Sequence, residues 1–416
     1  MSLLAFVVAC RASESAPLPA DMSTVGKPPA VAALATAPCA DDAEVAPPAH
    51  DQLSLTRVTF ADLPGWADDR HGEAVVAFLR SCEKLAELGD DDPVGYDGHG
   101  GQARSWRHAC AAARKLKPND HAAAKAMFEA EFVPFAAAGK RGVEGKLTGY
   151  NVTEIHASRK RDGKYRFPVL GRPKDLVMID LSKFENDSHG RRIWGRIDPS
   201  GDLVPFYTRQ EIRQGAIDGR GLEIMYVDDP VDLLFAHIEG SAKAKMDVGP
   251  DVWLEFSGKN GRAYRGVGGV LKRMGALAAP GSRTMQGIRA WFDAHPTRFN
   301  EVADQVQSYV FFAESPRPGA VGSQKVILTP ERSMAIDRAF IAQSTPIWVE
   351  TRTPIPGQNS AGPWTHLLIA QDTGAGIVGA VRGDIYWGDD SVAAERGGKM
   401  GGPGKYWLLL PKGVTK

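Results

Sequence analysis

The chain has 416 residues, with 50 Lys+Arg against 50 Asp+Glu and a formal net charge of zero. That length suggests two domains, and the balanced charge argues against a nucleic-acid partner, which calls for a basic excess. Hydrophobic residues make up 43%, ample for sizeable cores, and 45 Gly, 9 Trp, 9 Tyr and 16 Phe suit a β-rich protein with many turns and an aromatic groove.

The chain opens on SLLAFVVAC, and Val7-Val8-Ala9-Cys10 resembles a bacterial lipobox in which Cys10 becomes the lipidated residue. Residues 1–10 are read as a lipoprotein-type signal remnant, short and without the Lys or Arg of a full signal. Simple secretion is the competing reading. No apolar run approaches the roughly 18–20 residues that span a bilayer. Residues 11–50 are Ala/Pro-rich without periodicity and read as a disordered tether. Its reach of roughly 35 Å suits a domain that works away from the membrane holding it. Cys39 lies in this tether.

Three helices are predicted next. In DDRHGEAVVAFLRSCEKLAEL, Val75, Phe78, Cys82 and Leu85 form one helical stripe. RSWRHACAAARKL repeats the pattern with Trp106, Cys110 and Ala113 and stops before Pro118. Asp120 is placed to N-cap a third helix carrying Met127, Phe128 and Phe132. Cys82 and Cys110 each lie on a predicted helix. In an oxidising compartment a bridge between them closes a loop of about 28 residues, worth ~3 kcal/mol; the alternative is two buried thiols. There is no CxxC, HExxH or clustered His, so neither a metal nor a cofactor is called for.

The texture changes near Gly149. YRFPVL, DLVMIDL, RIWGRI and GLEIMYV read as short strands between DG, GRP and PSGD turns, interrupted by a short helix in TRQEIRQGAI. The segment from Asp229 to Gly275 mixes strands with one helix after Asn260-Gly261, and TMQGIRAWFDAH reads as another helix. From Tyr309 the chain is β again: YVFF, KVIL, PIWVET, HLLIAQ and KYWLLLP. Gly266-Val267-Gly268-Gly269 lacks the spacing of a dinucleotide loop, and Gly404-Lys405-Tyr406 is not a P-loop.

The chemistry points to AQDTGAGIVGAVRGDIYWG, where Asp372 and Asp384 sit in an apolar, Gly-rich run. Proton donation to a glycosidic oxygen at neutral pH needs a carboxyl whose pKa is raised by apolar or like-charged surroundings. Asp384, followed by Ile385, Tyr386 and Trp387, is a candidate, and a nearby Asp372 would raise it further. On these residues alone, an equal reading is that both aspartates cap backbone amides in turns.

Five ordered blocks, DPVDLLFAHIEGS, SGKNGRAYRGVGGVL, SYVFF, ERSMAIDRAFI and AQDTGAGIVGAVRGDIYWG, resemble the lytic murein transglycosylase A (MltA) family. LPGW near residue 64 and the Cys82/Cys110 pair resemble it too, and the likeness covers about residues 55 to 412. It implies a mainly β, α+β class: a double-psi β-barrel domain from residues 51–153 and 313–416, with a smaller inserted β-barrel domain at 154–312 and a groove between them. It further implies cleavage of the MurNAc-β-1,4-GlcNAc bond of peptidoglycan with formation of a 1,6-anhydro end. Asp384 matches the family's single acid/base. Asp372 and Asp337 complete the three aspartates of its C-terminal 3D domain as supporting carboxylates. Tyr150, Glu239, Ser241, Asn260 and Tyr264 match glycan-facing stretches, with a structural role at least as expected for Asn260 and Tyr264. The implied partners are peptidoglycan strands and cell-wall synthesis proteins. The implied place is the periplasm, with a lipid anchor in the outer membrane.

Three departures stand out. The family's GYY-Pro reads GYNVTE from Gly149, its Gln before Gly-Ser is Glu239, and its DTGG reads DTGA at Asp372–Ala375. They bear on substrate preference more than on reaction type. A hydrolase using Glu239 to activate water, and a glycan-binding protein without turnover, are the competing functions.

Overall fold

The computed structural model describes residues 51–96, 98–185, 191–276 and 284–414. Cys10, Cys39, the signal remnant and the tether lie outside the described residues.

The site rests on a closed ring of six strands. Around the ring run Pro346–Pro354, Ala361–Asp372, Ser333–Ile336, Arg382–Tyr386, Gly145–Tyr150 and Gly401–Pro411, which pairs back onto Pro346–Pro354. Ser333–Ile336 runs parallel to Ala361–Asp372, and Arg382–Tyr386 parallel to Gly145–Tyr150; the other pairs are antiparallel. Parallel neighbours require crossover connections, so the ring draws on segments separated by most of the chain. Gly401–Pro411 also pairs with Phe132–Ala138, which pairs with Ser54–Arg57.

Helices His71–Ala86, Arg104–Ala113 and His121–Glu131 cover this barrel. Phe78, Trp106, Phe128, Trp348 and Leu409 share one buried cluster, which joins the helices to the barrel wall. Cys82 and Cys110 are disulfide-bonded within it. Asp120 caps its helix by accepting a hydrogen bond from the Ala123 amide. That helix ends before Phe132, which opens a strand instead of closing the helical stripe. Phe132 is buried in the same cluster from its strand position, so the apolar spacing was real but the backbone was not helical there.

The second sheet has the order Val310–Glu314, Val252–Lys259, Ala242–Met246, Thr153–Ser158, Glu223–Val227, Phe167–Leu170. A bridge between Gly171 and Phe312 brings its two ends together, so it is a nearly closed barrel. Val177–Asp180, Arg192–Ile197 and Leu203–Val204 form a small separate sheet. The architecture is mixed α+β and mostly β.

Two local expectations are corrected. The segment from Asp229 holds a second helix, Pro230–Glu239, in addition to Val267–Arg273. Asp229 caps it by accepting from the Val231 amide, Pro230 begins it, and Gly240 ends it at φ 75°, a left-handed conformation open to glycine. KVIL forms no strand; the backbone there makes only a Val321–Ile327 bridge.

Candidate active site

Strand register builds the site. On Ser333–Ile336, Ala335 is paired with Asp384 on one side and with Asp372 on the other. A register shift between Met334 and Ala335 brings Asp372 into line. Two strand spacings of about 4.8 Å therefore separate the two aspartates along the barrel wall. On the far side of Asp384, the parallel strand sets Thr148 beside it. Gly149 follows without a side chain because a Cβ there would lie 2.3 Å from Trp387 Nε1.

A cleft of about 250 Å³ opens over this wall. Tyr150, Asp372, Arg382 and Asp384 line it from the barrel, and Glu239 and Tyr264 from the second sheet's side. The loop from Thr373 to Ile377 forms one rim.

Asp384 is half-buried. Thr148 Oγ1 donates to its Oδ1 at 2.6 Å. Burial pushes its pKa up to about 6, with Asp372 adding to the rise and the Thr148 bond, Arg382 and Lys146 opposing it. Arg382 is no dedicated counter-ion, since it donates to the carbonyls of Gly383 and Lys146. A carboxyl near pKa 6 exists in both forms around neutrality, which is what a group that must give and then take a proton requires.

Asp372 is held differently. Its Oδ1 accepts from the amides of Ser323 and Thr373, each at 2.8 Å, and its Oδ2 accepts from the Tyr150 hydroxyl at 2.9 Å. Burial outweighs these bonds and raises its pKa. Burial, then Asp372, pushes the Tyr150 phenol well above its ordinary value, so this hydroxyl stays a donor. Its ring meets Tyr386 at 5.3 Å.

Asp337 does not line the cleft. Its carboxylate accepts from the Ala339 amide at 3.0 Å and the Gly379 amide at 2.8 Å. Asp51 takes the neighbouring Ala380 amide at 2.8 Å. Together these two acids pin the far end of the loop that forms the cleft rim.

The residues matched to sugar-facing stretches divide. Glu239 and Tyr264 line the cleft. Ser241 is buried just beyond the Gly240 cap and does not line it. Asn260 is fully buried, and its amide is used up by backbone: Nδ2 donates to Tyr207 and Gln307 carbonyls, and Oδ1 accepts from the Tyr309 and Arg262 amides. Its task is to hold strand Val252–Lys259 against its neighbours, with nothing left to offer a sugar. His237 is likewise internal. Its Nδ1 accepts from Arg209 at 2.9 Å, and burial together with that cation keeps the ring neutral. Thr148 and Arg382 escaped the reading of the sequence. Both sit within two residues of a singled-out position, but only the parallel pairing of their strands shows that they flank Asp384.

The family model for the MltA specific insert domain matches residues 146–313, and that for the 3D domain matches residues 332–410. A protein of Vibrio cholerae named membrane-bound lytic murein transglycosylase A is 30% identical over 272 residues, covering 63% of this chain. That alignment spans 64% of the relative's own length. The crystal structure of a membrane-bound lytic murein transglycosylase from Agrobacterium tumefaciens is 29% identical with a TM-score of 0.74, covering 86% of this chain and 98% of that one. The crystal structure of MltA from Neisseria gonorrhoeae is 31% identical with a TM-score of 0.71, covering 87% of this chain and 94% of that one. The chain belongs to the MltA family and carries its 3D domain.

Proposed function

We propose that this protein is a peptidoglycan lytic transglycosylase in which Asp384 alone performs the proton transfers. The supporting observation is a contrast among the three aspartates: among the described residues Asp384 has a single hydroxyl partner and a pKa near 6, while Asp372 and, outside the cleft, Asp337 are committed to backbone amides. Asp384, as the acid, donates its proton to the glycosidic oxygen between MurNAc and GlcNAc. The C1–O bond breaks and GlcNAc leaves with a free 4-hydroxyl. The Asp384 carboxylate then takes the proton of the muramic C6 hydroxyl as O6 bonds to C1, which closes the 1,6-anhydro ring and restores the acid. The nucleophile belongs to the substrate, so no second carboxylate is needed to activate water, and its proximity supplies a high effective concentration. Asp372 fixes Tyr150 and the cleft rim and keeps the Asp384 pKa high.

Glu239, which also lines the cleft, is the acid that the competing hydrolytic mechanism would use. Burial and both aspartates raise its pKa well above the ordinary value, which disfavours the carboxylate form that a water-activating base needs. The relatives bear "membrane-bound" in their names. With the lipobox-like Cys10, this supports a periplasmic lipoprotein held at the outer membrane and acting on nearby glycan, with residues 51–153 and 313–416 as the catalytic domain and 154–312 as the insertion.

Digestion of purified sacculi with mass spectrometry of the products tests the reading. Muropeptides with 1,6-anhydro ends are expected from the wild type, and their loss with Asp384→Asn. Reducing ends would replace the reading with a hydrolase. Retained glycan binding with no release would leave a binding protein.

A further inference from the structure

The small sheet of Val177–Asp180, Arg192–Ile197 and Leu203–Val204 has one face packed and one open. Residues paired across an antiparallel ladder share a face, and alternate residues of a strand do too. Met178 with Trp194, and Arg196 with Val204, therefore form one side. That side meets the second barrel. The Trp194 ring packs edge-on against Phe256 at 5.9 Å, with the Arg172 guanidinium over it, and Arg196 lies over the Tyr207 ring at 4.8 Å. Val177, Ile179, Ile193, Ile197 and Leu203 form the other side. Ile193 is 39% exposed and Ile197 54%, and among the described residues none of the five joins or packs against a buried cluster. A sheet with one face covered ordinarily turns polar residues to water on the other. Phe184, 76% exposed, follows the first of these strands after one short turn.

Size and chemistry narrow what covers this face. The longest strand has six residues. At about 3.3 Å per residue, with strands about 4.8 Å apart, the face measures roughly 300 Å². A stable protein–protein contact needs about 800 Å² per partner. The five side chains are aliphatic and lie on a sheet, without the Trp, Tyr or Arg anchors that dominate protein interfaces. At the end where the Leu181 amide donates to the Arg191 carbonyl, the exposed cations Lys183 and Arg191 outnumber the exposed acid Glu185. Neither cation has an ion pair among the described residues.

The start of the described chain lies near this sheet. Asp51 accepts from the Ala380 amide and Asp337 from the Gly379 amide, each at 2.8 Å, and Arg338 lies within electrostatic reach of Arg192 and Asp180. A lipid anchor at Cys10, on a tether that reaches roughly 35 Å, would keep this side of the molecule close to the anchoring surface. Tethering raises the effective concentration, so a small contact suffices.

Resting on the anchored-lipoprotein part of the proposed function, we infer that the open face of the small sheet docks on a lipid surface. Its aliphatic side chains enter the interface, and Lys183 and Arg191 meet anionic headgroups. The contact fixes the orientation of the cleft relative to the membrane, which a flexible tether leaves free.

The test is co-sedimentation with vesicles of phosphatidylethanolamine and phosphatidylglycerol. The full chain is used, carrying Cys10→Ser so that no acyl chain is attached. Binding is expected, and Ile193→Ser with Ile197→Ser should weaken it about tenfold. Val248→Ser, at an exposed position on the hairpin before strand Val252–Lys259, should leave it within about twofold. Residues 1–10 are common to all these chains, so their own affinity cancels. Ile197→Trp gives a readout that does not depend on lost binding: brominated lipid should quench its added emission, and should not quench that of Val248→Trp. No sedimentation, equal sedimentation of the wild-type face and the double variant, or an unquenched Ile197→Trp overturns the proposal. So does a dimer in solution that the double variant disperses, which would assign the face to a second copy. Acylation of Cys10 is read separately, by mass spectrometry of the membrane-extracted protein, and anhydro products are read from sacculi. Failure of the lipoprotein or transglycosylase reading is thereby distinguishable from failure of this one.

Discussion

Asp69 and Asp384 are both carboxyls of the barrel-bearing part of the molecule, and the fold treats them in opposite ways. The Asp69 side chain is 1% exposed. Burial alone would raise its pKa, but Arg332 grips it with two guanidinium nitrogens at 2.8 and 3.0 Å, and the result is a lowered value. Asp384 is less enclosed, yet burial pushes it up to about 6, because its one hydrogen-bond partner among the described residues is a neutral hydroxyl that offsets only part of the rise. Burial sets the size of the penalty on a charge. The partner decides whether that penalty is felt. One carboxyl is thereby locked as a structural anion, and the other is kept able to change its proton.

Removing the reactive member of this pair should have the largest effect. Asp384→Asn is expected to lower kcat on sacculi by about a thousandfold, the scale of a lost general acid–base group. In the wild type the acid form begins the reaction, so kcat should fall as pH rises through about 6. Stability should respond in the other direction. A carboxyl whose folded pKa is raised binds more protons when folded, so its contribution is full at low pH and is lost as pH rises through that value. Asp384→Asn should therefore melt at a higher temperature than the wild type at pH 8, with a smaller difference at pH 4.5. A mutant that is inactive and also less stable at pH 8 would break the comparison.

Removing the structural member should reverse the pattern. Arg332→Met leaves Asp69 buried without its cation and also frees Glu73, 2.9 Å away, and the Leu367 carbonyl. A cost of about 3–5 kcal/mol in urea unfolding is expected, with no movement of the pH–rate profile. Two smaller costs sharpen the same division. Cys82→Ser with Cys110→Ser opens a 28-residue separation and should cost ~3 kcal/mol while leaving kcat intact. Asn260→Ala strips four backbone groups of their partner and should cost ~2 kcal/mol, again with KM and kcat unchanged. A raised KM for Asn260→Ala would restore it as a sugar contact.

The two kinds of aspartate are not equally legible in the sequence. Asp384 and Asp372 draw attention because carboxylates are out of place in a Gly-rich apolar run. What makes them a site is Ala335 between them, and strand Ser333–Ile336 shows no sign in its own residues of lying there. GKLTGY gives little strand signal, because its glycines and polar residues carry little strand propensity. It becomes strand Gly145–Tyr150 because Arg382–Tyr386 and Gly401–Pro411 satisfy its backbone from both sides. Asp69 offers no sequence signal, since Arg332 is 263 positions away. Helix Pro230–Glu239 is the opposite case. The Asp229 cap, Pro230 and Gly240 announce it locally, but the apolar run between them reads equally well as a strand.

The smallest expected effect bears most directly on how the Asp384 pKa is set. The Thr148 hydroxyl stabilises the carboxylate and so opposes the rise caused by burial. Thr148→Val keeps the β-branched shape that suits the strand and deletes only the donor. Without it the acid form is favoured, and the alkaline limb of the pH–rate profile should move up by about 0.7 pH, the equivalent of ~1 kcal/mol of hydrogen bond. Thr148→Ser should restore the wild-type limb. If burial alone governs Asp384, the limb will stay where it is in all three proteins. If instead it moves down, Thr148 must stabilise the protonated form, with Asp384 as the donor in that bond. A partner's influence on a buried carboxyl would then depend on the direction of the hydrogen bond as well as on its presence.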